Sequence, residues 1–428
     1  MKLALPLLLS FISSSAIAGS FGTYDPRSQA MAGTAVAIGS VGMAAGHNPA
    51  LLGLFDQDED KSRNGHYYLP YAVANVSQVA IDSLQLIEDE LDIAFDSALD
   101  NYNNNPQQDN AAAASIAAQN LENGLTSIAN KDFSFSAFIP LIAVSEPSKK
   151  GGGGFYLGSR IEGGGRSYVP DEDIELFDDY VEALDNVANG GYWRDVHPEL
   201  FNADEDYVDF APPPLNDPYD QIESSADLRG LIINEAAVAG ALGYDFDRMR
   251  VAVGVTPKAM QVRVFDESRE VSKDSLEVEN SSKPHLMFNA DIGVAIEFDS
   301  GVRLAYVGKD LFSRSFTSST GAIIELNTKH RMGLAYLTPK WEIGMDYDMQ
   351  VNVPTANEQA GQFLSLGGEY RIFQRYALRA GYRYDTDNQL PAATSIGVGA
   401  HWGPVYLNAS YLRSAEEQGG GLQLGFAF

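Results

Sequence analysis

The most regularly spaced charged residues of the chain are Arg375, Arg379 and Arg383, which recur at every fourth position. In a β-strand, side chains separated by an even number of residues point to the same face. Guanidinium groups on one face could bind the carboxylate or phosphate head group of a ligand. Acidic neighbours could instead pair with them and only rigidify the protein, and we favour that interpretation. We take six charged residues as candidates to line the interior of the barrel that is predicted below, and we call them the candidate lumen-lining residues. They are Arg375, Arg379, Arg383, Glu342, Asp346 and Glu369.

Residues suited to catalysis or metal binding show no recognisable spacing. The six histidines are scattered, and neither a Gly-x-Ser-x-Gly nor a His-Glu-x-x-His pattern occurs. Cysteine is absent, so disulfides, thiol catalysis and thiolate metal sites are excluded. We therefore predict no enzymatic activity, no catalytic residues, no cofactor and no defined metal site. Metal binding by acidic insertions, which are described below, is left open.

The elements that must position the charges are segments in which apolar and polar residues alternate. Between residues 286 and 299, for example, Phe288 and Ile292 point one way while Asn289 and Asp291 point the other. A period of two is the signature of a β-strand with one apolar face. Fourteen such segments are predicted, at 65–80, 133–144, 155–162, 232–247, 249–265, 286–299, 301–314, 321–337, 340–352, 361–373, 375–385, 393–402, 404–415 and 420–428.

The lengths and connections of these segments are typical of a membrane barrel. A transmembrane strand needs about 9–11 residues, with aromatic residues near both interfaces. Short connections alternate with longer ones, as periplasmic turns alternate with external loops. An even strand count closes the sheet and leaves no edge. We predict an all-β fold, a transmembrane antiparallel β-barrel of about fourteen strands; the alternative is a secreted all-β protein.

The chain ends on a strand candidate that contains Phe426 and Phe428. A strand that ends on a carboxy-terminal Phe resembles the closing strand of bacterial outer-membrane barrels. That resemblance implies that the barrel-assembly machinery recognises Phe426 and Phe428.

Charge and composition limit the partners of the protein. The 428 residues carry a formal net charge of −29, which argues against a nucleic-acid partner because phosphate binding needs clustered Lys and Arg. Beyond the N-terminus, no apolar run of eighteen or more residues occurs, so no helical membrane span is predicted. Lys2 precedes an apolar run that leads to small residues at Ala16 and Ala18, which indicates a secretory signal peptide.

Three parts of the chain are predicted: a signal peptide at 1–18, an N-terminal hatch or plug at 19–64 and the barrel at 65–428. The barrel is interrupted by insertions at 81–131 and 164–231, which are acidic and show helical spacing. Counting strands from either end puts both termini in the periplasm and both insertions outside.

The region before the first strand is rich in Gly and Ala and contains Asn48-Pro49-Ala50. Such a motif shortly before the first strand resembles the long-chain fatty acid transporter (FadL) superfamily, in which it belongs to a hatch in the lumen. The segment from Arg27 to Thr34, RSQAMAGT, together with the Asn-Pro-Ala-Leu-Leu run, resembles more closely the conjugal-transfer TraF-like proteins, an outer-membrane branch of the same barrel group. Asn48, Pro49 and Ala50 are therefore the predicted plug motif.

The two resemblances imply different functions. The fatty acid transporter group implies passive uptake of a hydrophobic small molecule through a plugged lumen. The TraF-like group implies conjugal transfer or envelope assembly, with an envelope protein as partner. A general diffusion porin is the third possibility. All three place the protein in the bacterial outer membrane, where outer-membrane lipid and the barrel-assembly machinery are further partners.

Overall fold

The computed structural model describes residues 21–54, 65–82, 91–148, 151–203, 212–218, 221–270, 284–318, 321–353, 355, 360–373 and 375–428. The predicted signal peptide, residues 1–18, and residues 55–64 of the predicted plug lie outside these ranges. Within them, no helix is both long and apolar enough to cross a bilayer.

The described residues contain seventeen strands. They are β1 His66–Tyr68, β2 Ala72–Ser77, β3 Asp132–Glu146, β4 Gly151–Tyr168, β5 Ser225–Phe246, β6 Met249–Glu270, β7 His285–Phe298, β8 Val302–Lys309, β9 Arg314–Thr317, β10 Ile323–Leu326, β11 Lys329–Leu337, β12 Trp341–Asp348, β13 Phe363–Ile372, β14 Tyr376–Asp385, β15 Ala393–Trp402, β16 Val405–Arg413 and β17 Glu417–Ala427.

The strands close into one antiparallel barrel. β1 and β2 form a single interrupted wall strand, because each of them pairs with β17 on one side and with β3 on the other. Every other wall strand pairs with its neighbours in the order β3 to β8 and then β11 to β17. The wall therefore has fourteen strands and no free edge, which confirms the predicted fold class.

The barrel is apolar outside and polar inside, the inverse of a soluble protein. In β7, Leu286 and Phe288 are 76% and 82% exposed, whereas Asn289 and Asp291 on the other face are 2% and 1% exposed. A continuous outer surface of large apolar side chains is unfavourable in water and is stabilised by hydrocarbon. The protein is thus a transmembrane barrel of the outer-membrane type.

Connections differ at the two ends of the barrel. One end, here called the turn end, carries only short links, such as 247–248 and 403–404. Aromatic residues ring it: the Tyr376 and Trp402 rings lie 6.4 Å apart, and the Tyr336 and Trp341 rings 5.2 Å apart. The opposite end carries the long connections and is called the insertion end.

Five α-helices have both ends within the described residues: α1 Pro26–Gln29, α2 Ala44–His47, α3 Leu91–Asn104, α4 Gln108–Ile128 and α5 Asp171–Ala188. The last three pack together at the insertion end with the 3-10 turns Trp193–Asp195 and Pro198–Leu200. This helical domain buries its own apolar core, which includes Phe95, Tyr102, Phe177 and Leu184. The predicted helical insertions are therefore one packed unit.

Two strand predictions are corrected. β4 and β5 extend to Tyr168 and back to Ser225, so the second insertion is shorter than 164–231. Glycine is disfavoured in strands, so the run Gly163–Gly165 led us to end the predicted strand at residue 162. In the barrel, a Cβ on Gly163 would lie 2.7 Å from the Phe265 ring. Aromatic rings therefore pack directly on the backbone of these glycines and leave no space for a side chain.

The second correction concerns the predicted strands 301–314 and 321–337. β8 ends at Lys309, because Asp310 adopts a left-handed conformation with φ of 50°. The residues that follow form the separate hairpin β9–β10. Alternation continues through this hairpin, so the period of two did not reveal the break.

Candidate functional site

Residues 21–54 fill the barrel lumen, and we call them the plug. The plug backbone accepts hydrogen bonds from wall side chains on well-separated strands, since Thr256 of β6 donates to the Ala45 carbonyl at 3.2 Å and Ser395 of β15 to the Ala30 carbonyl at 2.9 Å. In the other direction, the Ala35 amide donates to Asp346 of β12 at 2.7 Å. A segment that touches strands all round a closed barrel must lie inside it.

The predicted plug motif forms a turn inside the lumen. Asn48 is fully buried, and its Oδ1 accepts the Ala50 amide at 3.0 Å, which caps the 3-10 helix Pro49–Gly53. Its Nδ2 donates to the Val36 carbonyl at 3.0 Å, so the side chain joins the two halves of the plug. Pro49 supplies the first position of the short helix, where no amide is needed.

Glycines in the wall make room for the plug backbone. A Cβ on Gly254 would lie 2.5 Å from the Pro49 carbonyl carbon, and one on Gly381 would lie 2.3 Å from the Met31 carbonyl carbon. Such distances are impossible for real Cβ atoms, so the wall positions that contact the plug backbone must be glycine. The sequence analysis did not assign a role to these wall glycines.

Arg27 is the main electrostatic anchor of the plug. Its Nε lies 2.8 Å from Glu369, and a terminal guanidinium nitrogen lies 2.8 Å from Glu342. Arg379 also approaches Glu369, at 2.7 Å. Alternating positive and negative groups thus link the plug to β12, β13 and β14, and Arg371 joins the same cluster through both carboxylates.

The structure separates the predicted arginine ladder. Arg379 and Arg383 are buried on the lumen face, where Arg379 pairs with Glu369 and Arg383 with Glu417. Arg375 does not lie in the lumen, because it is exposed in the turn between β13 and β14. Arg375 is an even number of residues from Arg379 and Arg383, which predicted the same face, but the strand begins only at Tyr376. With carboxylates on both buried arginines, the ladder offers no row of free cations to an anionic head group.

Phe426 and Phe428 lie at the seam of the barrel. Phe426 pairs with Tyr67 of the first strand, and Phe428 exchanges backbone hydrogen bonds of 3.0 and 2.9 Å with Gly65. Recognition of these residues by assembly machinery stays a prediction.

Asp25 ties the start of the plug to the plug motif. Its carboxylate accepts the Ser28 amide at 2.7 Å and a hydrogen bond from Ser40, and lies 3.3 Å from His47 Nε2. Burial alone would raise the pKa of Asp25, but the His47 imidazole and these hydrogen bonds hold it well below its usual range. The ionised form therefore stabilises the plug.

We expect the Asp25 contribution to be complete at neutral pH. A depressed pKa in the folded state gives stabilisation that is present above the unfolded pKa, about 3.9, and is lost only as the pH falls toward the folded value. The difference in plug seating between the wild type and Asp25→Asn should therefore not change between pH 7 and pH 5. At pH 7, Asp25→Asn should weaken plug seating by about 1.5–3 kcal/mol. Limited proteolysis of the N-terminal segment measures both; equal cleavage of the two proteins at pH 7 would contradict the role.

A layer of buried charge that sequence reasoning missed lies between the plug and the insertion end. Lys258 Nζ lies 2.7 Å from both Asp291 and Asp310, and Arg160 lies 3.1 Å from Asp310. The Nζ of Lys309 lies 3.8 Å from the centre of the Tyr24 ring, so the layer contacts the plug. The alternation of apolar and polar residues could have indicated this layer, because it places Lys258 and Asp291 on the lumen face of their strands.

Beyond the charged layer, the lumen face of β5, β6 and β7 becomes apolar. We call this surface the vestibule; its residues are Leu231, Ile233, Met260, Val262, Val264 and Met287. The hairpin β9–β10 covers it with three buried side chains, Phe316, Ile324 and Leu326. Ser318, in the hairpin loop, donates a hydrogen bond to Asp266 of β6 at 2.5 Å and so attaches the hairpin to the barrel wall.

The profile of the family described as "F plasmid transfer operon, TraF, protein" matches residues 45–348. Curated proteins give no match.

Solved barrels resemble the chain over almost its whole length. The toluene transporter TodX of P. putida has a TM-score of 0.49 and 12% identity, with 96% of this chain and 99% of that one covered. The toluene transporter TbuX of Ralstonia pickettii has a TM-score of 0.48 and 11% identity, with 95% and 98% covered. The monoaromatic hydrocarbon channel CymD has a TM-score of 0.47 and 10% identity, with 95% and 97% covered.

Proposed function

This chain belongs to the TraF family of the F plasmid transfer operon, and from its plugged barrel we propose a channel for passive uptake of a hydrophobic small molecule across the bacterial outer membrane. In this proposal the insertion end faces the outside and the turn end faces the periplasm, which the alternation of short and long connections supports. The protein acts as a channel and not as an enzyme.

The observation that carries this proposal is the vestibule. An ordinary porin lumen is polar, whereas the lumen surface under the hairpin β9–β10 includes fully buried aliphatic side chains such as Leu231, Ile233 and Val262. Lifting the hairpin β9–β10 would expose this surface at a cost of about 1.5–3 kcal/mol for each large side chain uncovered. An apolar ligand would offset that cost by covering the same surface, and a polar solute would not.

A second feature that supports the proposal is a weak point in the wall beside the plug. Pro70 lies in the gap between β1 and β2, and in the adjacent β3 the register shifts between Pro140 and Ile142. Proline has no amide to donate, so Pro70 contributes no rung, and the neighbouring Tyr71 amide reaches the Pro140 carbonyl only at 3.4 Å. The plug closes the gap from inside, because the Tyr71 hydroxyl donates to the Tyr24 carbonyl at 2.6 Å. Movement of the plug would open a lateral route from the lumen into the membrane.

The vestibule predicts a selective loss of uptake in Ile233→Asn. An amide in this apolar surface costs about 1–3 kcal/mol, so we expect uptake of an apolar probe to fall about tenfold. The measurement is the initial rate at which cells expressing the protein take up radiolabelled toluene or oleate. Ile232→Asn, on the outward face of the same strand, is the matched control and should leave the rate unchanged.

Two outcomes would contradict the proposal. Equal uptake by the two asparagine variants would remove the role of the vestibule. Rapid flux of a radiolabelled disaccharide through the intact protein would instead support a diffusion porin.

The second candidate function is contact with an envelope protein partner, and the helical domain favours it. A separate core projecting from the barrel is not needed to form a channel. Deleting both 81–131 and 169–224, with a short loop in place of each, should leave apolar uptake intact if the domain serves contacts. Loss of a co-purifying envelope protein in the same variant would support the interaction function.

A further inference from the structure

We propose that a small cavity between the plug and the barrel wall binds a neutral oxygen atom of the ligand. The preferred substrates are then apolar molecules that carry one carbonyl or hydroxyl group, and not plain hydrocarbons or carboxylates. This inference rests on the proposed uptake function and narrows its substrate class.

The cavity lies beside the start of the plug and the strands β2, β3 and β4. Its volume is about 30 Å³, and its walls include Val73 of β2, Phe138 of β3 and Tyr24 of the plug. That space is enough for about two water-sized groups, but it is too small for a whole ligand. Glu162 of β4, which also lines the cavity, pairs in register with Leu231 of the vestibule. The cavity therefore adjoins the vestibule, and an apolar ligand that lies there can place one polar group in it.

Two buried hydrogen-bond donors in the cavity wall have no acceptor within the described part of the chain. They are the Tyr24 hydroxyl and the Arg160 Nε, and these two residues are 1% and 4% exposed. A buried donor without an acceptor is unfavourable, because it has lost its hydrogen bond to water. An arginine Nε can only donate, so the group that satisfies it must be an acceptor. An oxygen atom with two lone pairs is the simplest acceptor for both donors.

The charge of Arg160 is already balanced, which favours a neutral oxygen over a carboxylate. The terminal guanidinium nitrogens lie 3.1 Å from Asp310 and 3.4 Å from Glu162. Lys309 is a further cation of the charged layer, and the carboxylate of Glu235, which lies 3.9 Å from Arg160, offsets it. A ligand carboxylate would meet these acidic groups in a region shielded from water. A ketone, an aldehyde, an ester or an alcohol offers the acceptor without the charge.

Tyr24→Phe distinguishes a contact with the ligand from a structural role. The Tyr24 hydroxyl has no partner among the described residues, so its removal breaks no internal hydrogen bond, and the ring keeps its packing on Phe138 at 4.7 Å. Tyr156→Phe is the matched control. The Tyr156 hydroxyl donates to Glu235 at 3.1 Å, and Tyr156 is not part of the cavity wall. We expect Tyr24→Phe to change selectivity and Tyr156→Phe to change only stability.

The test compares the uptake of acetophenone and ethylbenzene, which share a phenyl ring and differ in one carbonyl oxygen. Both probes are radiolabelled, and initial rates are measured above those of cells that lack the protein. In the wild type, acetophenone should half-saturate uptake at a concentration about tenfold lower than ethylbenzene. Tyr24→Phe should raise the acetophenone value about two- to tenfold and leave the ethylbenzene value unchanged. Tyr156→Phe should keep the wild-type ratio, and the gel mobility of the unheated protein reports the intact barrel in each variant.

The results that would overturn the site differ from those that would overturn the channel. Saturable uptake of both probes at equal concentrations in the wild type would overturn the site alone, and it is the result expected if only water fills the cavity. Equal changes for both probes in Tyr24→Phe would also overturn it, because they would show a role in plug seating. Stronger inhibition by benzoate than by unlabelled acetophenone would overturn the choice of a neutral oxygen. Absence of uptake for both probes would overturn the channel, and this inference with it.

Discussion

Gly254→Val is expected to turn a closed barrel into a conducting one. The new side chain would start 2.5 Å from the Pro49 carbonyl carbon and 2.6 Å from the Ala50 amide nitrogen. These are backbone atoms of the capped turn that Asn48 forms, so they cannot move aside as a flexible side chain would. Overpacking of this kind costs about 1–3 kcal/mol even where a core can adjust. We expect the plug to leave its seat while the wall, where valine is a favoured strand residue, stays intact.

Single-channel conductance in a planar bilayer measures this effect. The wild type should be silent, Gly254→Val should conduct, and a protein lacking residues 19–50 should set the fully open level. Gly240→Val is the matched control, because a Cβ at Gly240 would meet nothing within 4 Å. Silence of a correctly inserted Gly254→Val protein would refute the close seating of the plug motif, and equal conductance of the wild type and the truncated protein would refute the plug itself.

Arg27→Met is the second change with a large expected effect. Methionine keeps much of the aliphatic stem but removes the charge that lies 2.8 Å from both Glu342 and Glu369. Removing one partner of a buried ion pair costs about 3–5 kcal/mol, because the other charge stays buried without it. Here Arg371 and Arg379 remain near the carboxylates, so we expect a value near the lower end of that range. The plug should detach at a lower urea concentration than the barrel unfolds.

Protease cleavage of the N-terminal segment across a urea series measures plug detachment, and the gel mobility of the unheated protein reports the intact barrel. Arg166→Met is the control. Arg166 is 54% exposed at the side chain and lies 3.5 Å from Asp132, and exposed pairs contribute at most about 1 kcal/mol. Arg27→Lys should restore only part of the stability, since an ammonium cannot reach two carboxylates in the planar geometry of a guanidinium. Identical urea midpoints for Arg27→Met and Arg166→Met would show that the anchor contributes little.

Local patterns were sufficient for the architecture. Alternation in segments such as 286–299 predicted which face of each strand meets lipid, because successive strand side chains point to opposite faces whatever their partners are. The even number of segments predicted closure. Where local rules failed, a neighbour distant in sequence was responsible: the glycines of β4 stay in the sheet because Phe265 of β6 covers them.

The sequence by itself therefore determined a closed membrane barrel with a polar lumen, an acidic helical insertion region and a plug motif at Asn48. Only the tertiary structure decided what the lumen charges do. Arg27 and Glu369 are 342 positions apart, and their pairing depends on the path of the plug across a curved wall. Strand parity places a charge inside the barrel, but it carries no information on which group lies opposite. For that reason the vestibule, the buried ion pairs and the exposed position of Arg375 appeared only when the strands were closed around the plug.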